Sequence, residues 1–228
     1  MRREKPRVSA FTSADLPKIL ALAPDLVLTF SDLQADIVAE LVRSGVEVHA
    51  FNHRTVAGIF DMIRMVATLV GVAAEGEQLA MQISERLKRA REAGRQLPRQ
   101  PRVYFEEWDE PMIAAIGWVS ELIEIAGGID VFSDLSNRKS AKDRIVSAEN
   151  VIAAKPDIVI GSWCGKKFRA DSFAARPGYD AIPAVRDGQL FEVKSSLILQ
   201  PGPAALTDGL DAIARIIAAW AAGDGRTL

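Results

Sequence analysis

The chain has 228 residues, a formal net charge of −2, and a composition that is 49% hydrophobic and 25% charged. That is ordinary globular composition with enough chain for one large domain or two small lobes, and it excludes disorder. Lys and Arg are spread along the sequence without the clustered basic footprint of a nucleic-acid binder, and no run of about 18 apolar residues exists to span a bilayer.

In chain order the pattern alternates helix and strand. The first part reads as a helix over 15–23, a strand over 25–30, a helix over 32–44, a strand over 46–51 and a helix over 55–70. Asp32 and Thr55 suit N-caps, and Gly45 and Gly71 suit helix stops. A long helix over 73–95 follows, with Leu79, Ile83 and Leu87 as one narrow apolar stripe and the rest charged. The remainder predicts a strand over 103–106, a helix over 118–126, a helix over 148–154, strands over 157–161 and 189–193, and a helix over 203–222 started by Pro203. The expected organisation is an N-terminal lobe over 1–72, a bridging helix over 73–97 and a C-terminal lobe over 98–228.

Residues 19–31, ILALAPDLVLTFS, are echoed by residues 151–163, VIAAKPDIVIGSW. In each copy an apolar helix runs into Pro-Asp and then a buried strand, since proline stops a helix and biases its predecessor toward extended geometry. An Arg-x-Gly turn (Arg43 to Gly45, Arg186 to Gly188) and a further strand follow each copy, so one α/β design is expected twice.

Open parallel sheets bind ligands beyond the carboxyl ends of their strands. Those positions hold Phe30-Ser31-Asp32, Phe51-Asn52-His53-Arg54, Glu106-Glu107-Trp108-Asp109-Glu110, Trp163-Cys164-Gly165-Lys166-Lys167 and Lys194-Ser195-Ser196. Aromatic groups beside polar ones suit a sizeable ligand with an apolar or conjugated body and polar edges. Trp108 and Trp163 stand out because no apolar periodicity claims them. The acidic run 106–110 and the basic Lys166, Lys167 and Arg169 read either as solvated surface or as groups that grip a charged ligand.

Catalytic signals are thin. Gly161 to Gly165 centres Trp163 where a nucleophile elbow needs its nucleophile, and no dinucleotide fingerprint, P-loop or zincin motif is present. Cys164 is the lone cysteine, which excludes an internal disulfide framework and cannot by itself build a zinc site. His49 reads as a packed strand residue, and His53 alone does not hold a metal. Residues 6–17 contain no continuous apolar stretch, so no secretory signal is read in the chain as given.

Taken together, Val8-Ser9, ALAPDLVLTF, the strand from Gly45, residues 55–71, the long helix, Arg102-Val103-Tyr104-Phe105, LIEIAGGIDVF, Ile145 to Glu149 and AAKPDIVIGSW resemble the class III substrate-binding proteins of ABC importers, the cobalamin and ferric siderophore binders. The resemblance implies two Rossmann-like lobes with parallel sheets joined by a long helix, and a cobalamin, haem or ferric siderophore ligand held in an interlobe cleft for a membrane permease. It implies a periplasmic or cell-envelope location, a monomer, no catalysis, and no cofactor or metal of the chain's own. Phe11 and Phe30 match cleft aromatics of cobalamin-binding relatives. The expected ligand contacts are Phe11, Phe30, Asp32, Glu107, Trp108, Trp163, Cys164, Lys166 and Lys194. The chain departs from the family by lacking its leading strand and helix, and by carrying Pro17 where a permease-docking glutamate is usual, with only Asp171 and Asp180 near the second docking position. The rival reading is a cytoplasmic enzyme or sensor on the same fold, with Cys164, His53 and the acidic loop 106–110 as its reactive centre.

Overall fold

The computed structural model describes residues 5–10 and 12–223. The expected contact Phe11 lies outside them. Two compact units are present, one up to His53 and one from Arg54.

In the first unit, α1 (Leu16–Ala21) begins where the Asp15 carboxylate accepts the Lys18 backbone N–H at 3.1 Å, with Pro17 in the first turn. Strand β1 (Val27–Phe30) leads into a single 3-10 turn over Asp32–Gln34, and then α2 (Ala35–Arg43). Ser31, not Asp32, caps that turn, its hydroxyl accepting the Leu33 N–H at 3.3 Å. Strand β2 (Val48–Phe51) pairs parallel with β1, from Val27 opposite Val48 to Phe30 opposite Phe51. The helix before β2 ends as the sequence predicts, at Gly45 with φ +77°.

The second unit opens with α3 (Val56–Leu69), capped by Thr55, whose hydroxyl accepts the Gly58 N–H, and by both carboxylate oxygens of Glu121, which accept the Val56 N–H at 3.3 Å. Helix α4 (Ala73–Arg95) packs on α3 through small residues: a β-carbon at Gly76 would lie 2.3 Å from that of Ala67. The buried stripe of α4 is therefore Gly76, Ala80, Ile83, Leu87 and Gly94, and Leu79, expected in it, stands exposed. Strands β3 (Arg102–Asp109), β4 (Met112–Ala114), β5 (Ile129–Asp130), β6 (Ile158–Gly161) and β7 (Leu190–Glu192) form one sheet of order β4-β3-β6-β7, with β5 also paired to β3. Only the β3–β4 pair is antiparallel. Between β4 and β5 runs α5 (Gly117–Ile125), and after β5 comes α6 (Ser133–Ser136). Helix α7 (Ala148–Ala154), α8 (Ala170–Ala174), α9 (Pro183–Arg186), α10 (Ser195–Ile198) and α11 (Leu210–Ala222) complete the unit. The helix expected from Pro203 is helical from there but passes through a π turn over Ala205–Gly209 before α11.

Strand β6 is buried at every residue, as a central parallel strand must be. Through Val159 it joins a core of Tyr104, Val151, Trp163, Phe168, Phe173 and Tyr179. The expected mixed α/β fold rich in parallel strands is what the chain forms.

The sequence echo is also conformational. Ala23 and Lys155 occupy equivalent places in it, and both adopt the left-handed region, with φ 44° and 46°. Each ends its helix so that the following Pro-Asp can turn the chain into a strand. The register repeats as well: the Val27 N–H donates to Glu47 O, and the Val159 N–H donates to Gln189 O, in each case the residue just before the partner strand.

Asp130 closes β5 with its side chain buried, accepting the Phe132 N–H at 3.1 Å. Burial pushes its pKa above the ordinary 3.8, against the opposing hydrogen bond from Ser120. Between the ordinary and the raised value the folded chain binds more protons than the unfolded one, so this group's contribution falls as pH rises. Asp130→Asn removes that dependence: urea midpoints measured from pH 4 to 7 should favour the variant increasingly as pH rises. A constant difference across that range would contradict the assignment.

Candidate ligand-binding site

The carboxyl end of β3 is where the sequence places its acidic run, and the run is sorted by a bulge. Glu106 pairs with Ala114 and Trp108 with Ile113, so Glu107 is the extra residue between them. Such a bulge re-aims the side chains on either side of it.

Glu106 points inward and is wholly buried. Its carboxylate accepts the Tyr104 hydroxyl at 3.0 Å, the Trp163 indole N–H at 2.9 Å, and both terminal nitrogens of Arg176 at 2.6 and 2.9 Å. Burial alone would lower the Arg176 pKa, but the hydrogen bond and charge of Glu106 outweigh it and hold the guanidinium's pKa above its ordinary value. Desolvation, then the charge of Glu106, raises the Tyr104 phenol well above its usual range. Glu107 turns the other way and meets Arg144 at 2.6 and 3.3 Å, while the same guanidinium donates to the Ala114 carbonyl. Arg144 and Arg176 carry no local sequence signal, because they reach their partners from 37 and 70 residues away.

Trp108 and Asp109 belong to β3 itself rather than to a polar loop. The Trp108 indole donates to Glu110 O at 2.7 Å. Lys166 Nζ lies 2.6 Å from Asp109 Oδ1, 4.4 Å from the centre of the Trp108 ring and 5.3 Å from that of Trp163. The acidic and basic runs that the sequence sets 57 residues apart (109 to 166) thus meet in one ion pair.

Beyond β6, Trp163 turns into the core, 5% exposed and edge-on to Phe168 with ring centres 5.0 Å apart. Phe168 lies over Gly161, where a β-carbon would come within 1.9 Å of the ring. A glycine inside a buried strand marks such a close approach, and is the one sequence signal that points to Phe168. Glu192 at the end of β7 accepts the Phe168 N–H at 3.0 Å. An open groove of about 810 Å³ results, lined by Asp109, Trp163, Lys166, Lys167, Phe168 and Leu190 among others. Cys164 is exposed beside it, its thiol pKa raised by desolvation and then by the charge of Glu107, the reverse of nucleophile activation. Lys194 is exposed at the start of α10.

At the strand ends of the first unit, His53 packs between Phe30 and Phe51, at 5.8 and 5.9 Å between ring centres, and His49 meets Phe51 edge-on at 4.4 Å. Asp32 is exposed and accepts the Ser31 hydroxyl at 3.0 Å. Among the described residues no group of three or more His, Cys, Asp or Glu side chains is arranged to hold a metal ion, and no helix is long and apolar enough to cross a membrane.

Parallel-rich α/β units with polar and aromatic groups at their strand ends are an architecture that known solute-binding proteins share. The chain superposes on the periplasmic haem-binding protein RhuT from Roseiflexus with a TM-score of 0.77, at 25% identity over 94% of this chain and 85% of that one. The periplasmic vitamin B12-binding protein BtuF of Vibrio cholerae gives 0.70, at 21% identity over 94% and 82%. The profile of the periplasmic binding protein family matches residues 1–197, and the chain belongs to that family. Among its relatives, the vitamin B12-binding protein of Vibrio parahaemolyticus is 25% identical over 89% of this chain and 72% of its own length. An ABC transporter substrate-binding lipoprotein of Bacillus subtilis, YvrC, is 22% identical over 90% and 65%. The rival enzyme or sensor built on Cys164 and His53 finds no support in these likenesses.

Removing the counter-charge of Glu106 should be costly, since it strands a carboxylate in the core. Arg176→Leu is expected to lower stability by about 3–5 kcal/mol and to shift tryptophan emission to the red as the Glu106–Trp163 bond loosens. Guanidinium titration followed by fluorescence reads both, and a loss below about 1 kcal/mol would mean the pair is replaceable by packing.

Proposed function

We propose that this chain is the periplasmic or envelope-held solute-binding component of an ABC importer, acting as a monomer that captures a metal chelate or corrinoid and hands it to a membrane permease. The ligand is of the cobalamin, haem or ferric siderophore type, and any metal arrives inside it. One observation carries the reading: the groove at the carboxyl ends of β3, β6 and β7 combines Trp163, Phe168 and Leu190 with a row of charges, and Trp108 stands half-buried beside its Lys166, on the fold whose relatives bind such ligands. Phe30 and Asp32, at the end of β1, are the candidate contacts carried by the first unit.

Aromatic faces supply contact area, and charged edges fix orientation. Glu106 holds the Trp163 indole and Glu192 the Phe168 backbone before any ligand arrives, which lowers the ordering cost of capture. Nanomolar binding needs roughly 12 kcal/mol.

The burial of Trp163 separates two variants that the sequence alone treats alike. Trp108→Ala should weaken the best ligand at least tenfold while leaving the thermal midpoint near that of the parent. Trp163→Ala should cost about 3–5 kcal/mol of stability, as large core truncations do. Titration of cobalamin, haem and a panel of ferric siderophores, read by tryptophan fluorescence and thermal shift, checks both. Silence toward every one of these ligands would remove the importer reading.

A further inference from the structure

The three groups around Lys166 form a recognisable chemical object. Two indole faces and a carboxylate enclose an ammonium: Trp108 at 4.4 Å, Trp163 at 5.3 Å and Asp109 at 2.6 Å. This is the arrangement that recognises organic cations, because the negative faces of the rings and the carboxylate attract a positive group that sheds little water.

The walls do not depend on their occupant. Trp108 is pinned through its indole N–H on Glu110 O, and Trp163 through its own on the buried carboxylate of Glu106 and its contact with Phe168. Asp109 ends strand β3. The occupant is the movable part. Lys166 follows Gly165, which has φ +80° and no heavy atom within 4 Å of where a β-carbon would stand, and its side chain is 44% exposed. A four-carbon stem held in one place also loses rotamer freedom that it regains on leaving. Asp109, Trp163 and Lys166 all line the 810 Å³ groove, so the box opens onto the space where a ligand body would lie.

We propose that Trp108, Trp163 and Asp109 form a cation-binding subsite that Lys166 fills in this structure, and that a primary or quaternary ammonium on the ligand takes its place. The proposal rests on the reading of the groove as the ligand site, and it narrows the ligand to a chelate or conjugated body bearing a single pendant organic cation. Lys166 then sets a threshold: a tethered ammonium competes at an effective concentration near the millimolar range, so a free cation alone binds poorly, and one attached to a body that also fills the groove binds well.

The test uses choline and its neutral isostere 3,3-dimethylbutan-1-ol, titrated by calorimetry and tryptophan fluorescence into the wild-type chain, Lys166→Ala, and Lys166→Ala combined with Asp109→Asn. Circular dichroism confirms that each variant is folded. Lys166→Ala is expected to bind choline at least tenfold tighter than wild type and at least tenfold tighter than the alcohol, and Asp109→Asn to abolish that gain. Choline binding no tighter in Lys166→Ala than in wild type, or equal binding of the neutral alcohol, overturns the subsite. A second arm compares ferrioxamine B, a ferric trihydroxamate with a free ammonium, with its N-acetyl derivative on the wild-type chain, and a tenfold preference for the free ammonium is expected. Equal binding of the two removes the cation subsite and leaves the importer reading intact. Choline capture by Lys166→Ala, with no chelate or corrinoid bound by any form, removes the importer reading and leaves the subsite.

Discussion

A carboxylate cut off from water must be met by donors on every side, and the second unit is arranged around that requirement at Glu106. Tyr104 from the same strand, Trp163 from the end of the next, and Arg176 from beyond α8 all converge on its two oxygens. Each of these brings a neighbour into register. Trp163 carries the loop that holds Lys166, Arg176 lies over the Phe173 ring at 4.7 Å and beside Met112 Sδ at 3.3 Å, and Tyr104 meets Phe132 edge-on. Apolar replacement of such a network is often no less stable. Its contribution is to fix where the strand ends stand.

The acids of the β3 end form a gradient from core to solvent. The Glu106 side chain is fully buried, and those of Glu107 and Asp109 are 20% and 21% exposed. Their partners divide by type, with two arginines at 3% and 20% exposure inside and one lysine at 44% outside. Arginine's forked, weakly hydrated guanidinium suits the buried places, and lysine's compact ammonium on a flexible stem suits the one that exchanges. The groove is thus rigid at its back and adjustable at its lip.

Much of the fold was legible because its signals are local. Pro-Asp after an apolar helix, Gly45 and Gly71 after α2 and α3, and Thr55 before α3 each act within a few residues, and the structure places them as their chemistry requires. The candidate site was legible only in part. The acidic run is visible in the sequence, but its sorting depends on a one-residue bulge and on Arg144 and Arg176, whose contacts cross the fold. Trp163 looked like a loop residue because its neighbours Ser162 and Cys164 are polar. Tertiary packing on Phe168 and a bond to Glu106 decide its burial instead. Leu79 missed the core for a similar reason: close helix packing selected Gly76 and Ala80 over a larger side chain.

The two copies of the echoed motif differ in what supports them. In β6 every residue is buried, whereas in the first unit only Ile19, Thr29 and Leu41 are buried among the described residues. Its sheet there is two strands, and Leu28 in β1 is 46% exposed. Amide protons of β1 and β2 therefore exchange through openings of lower free energy than those of β3 and β6. Cooperative unfolding as a single unit is not expected: the same helix–Pro-Asp–strand design, written twice, yields one late-melting and one early-melting copy.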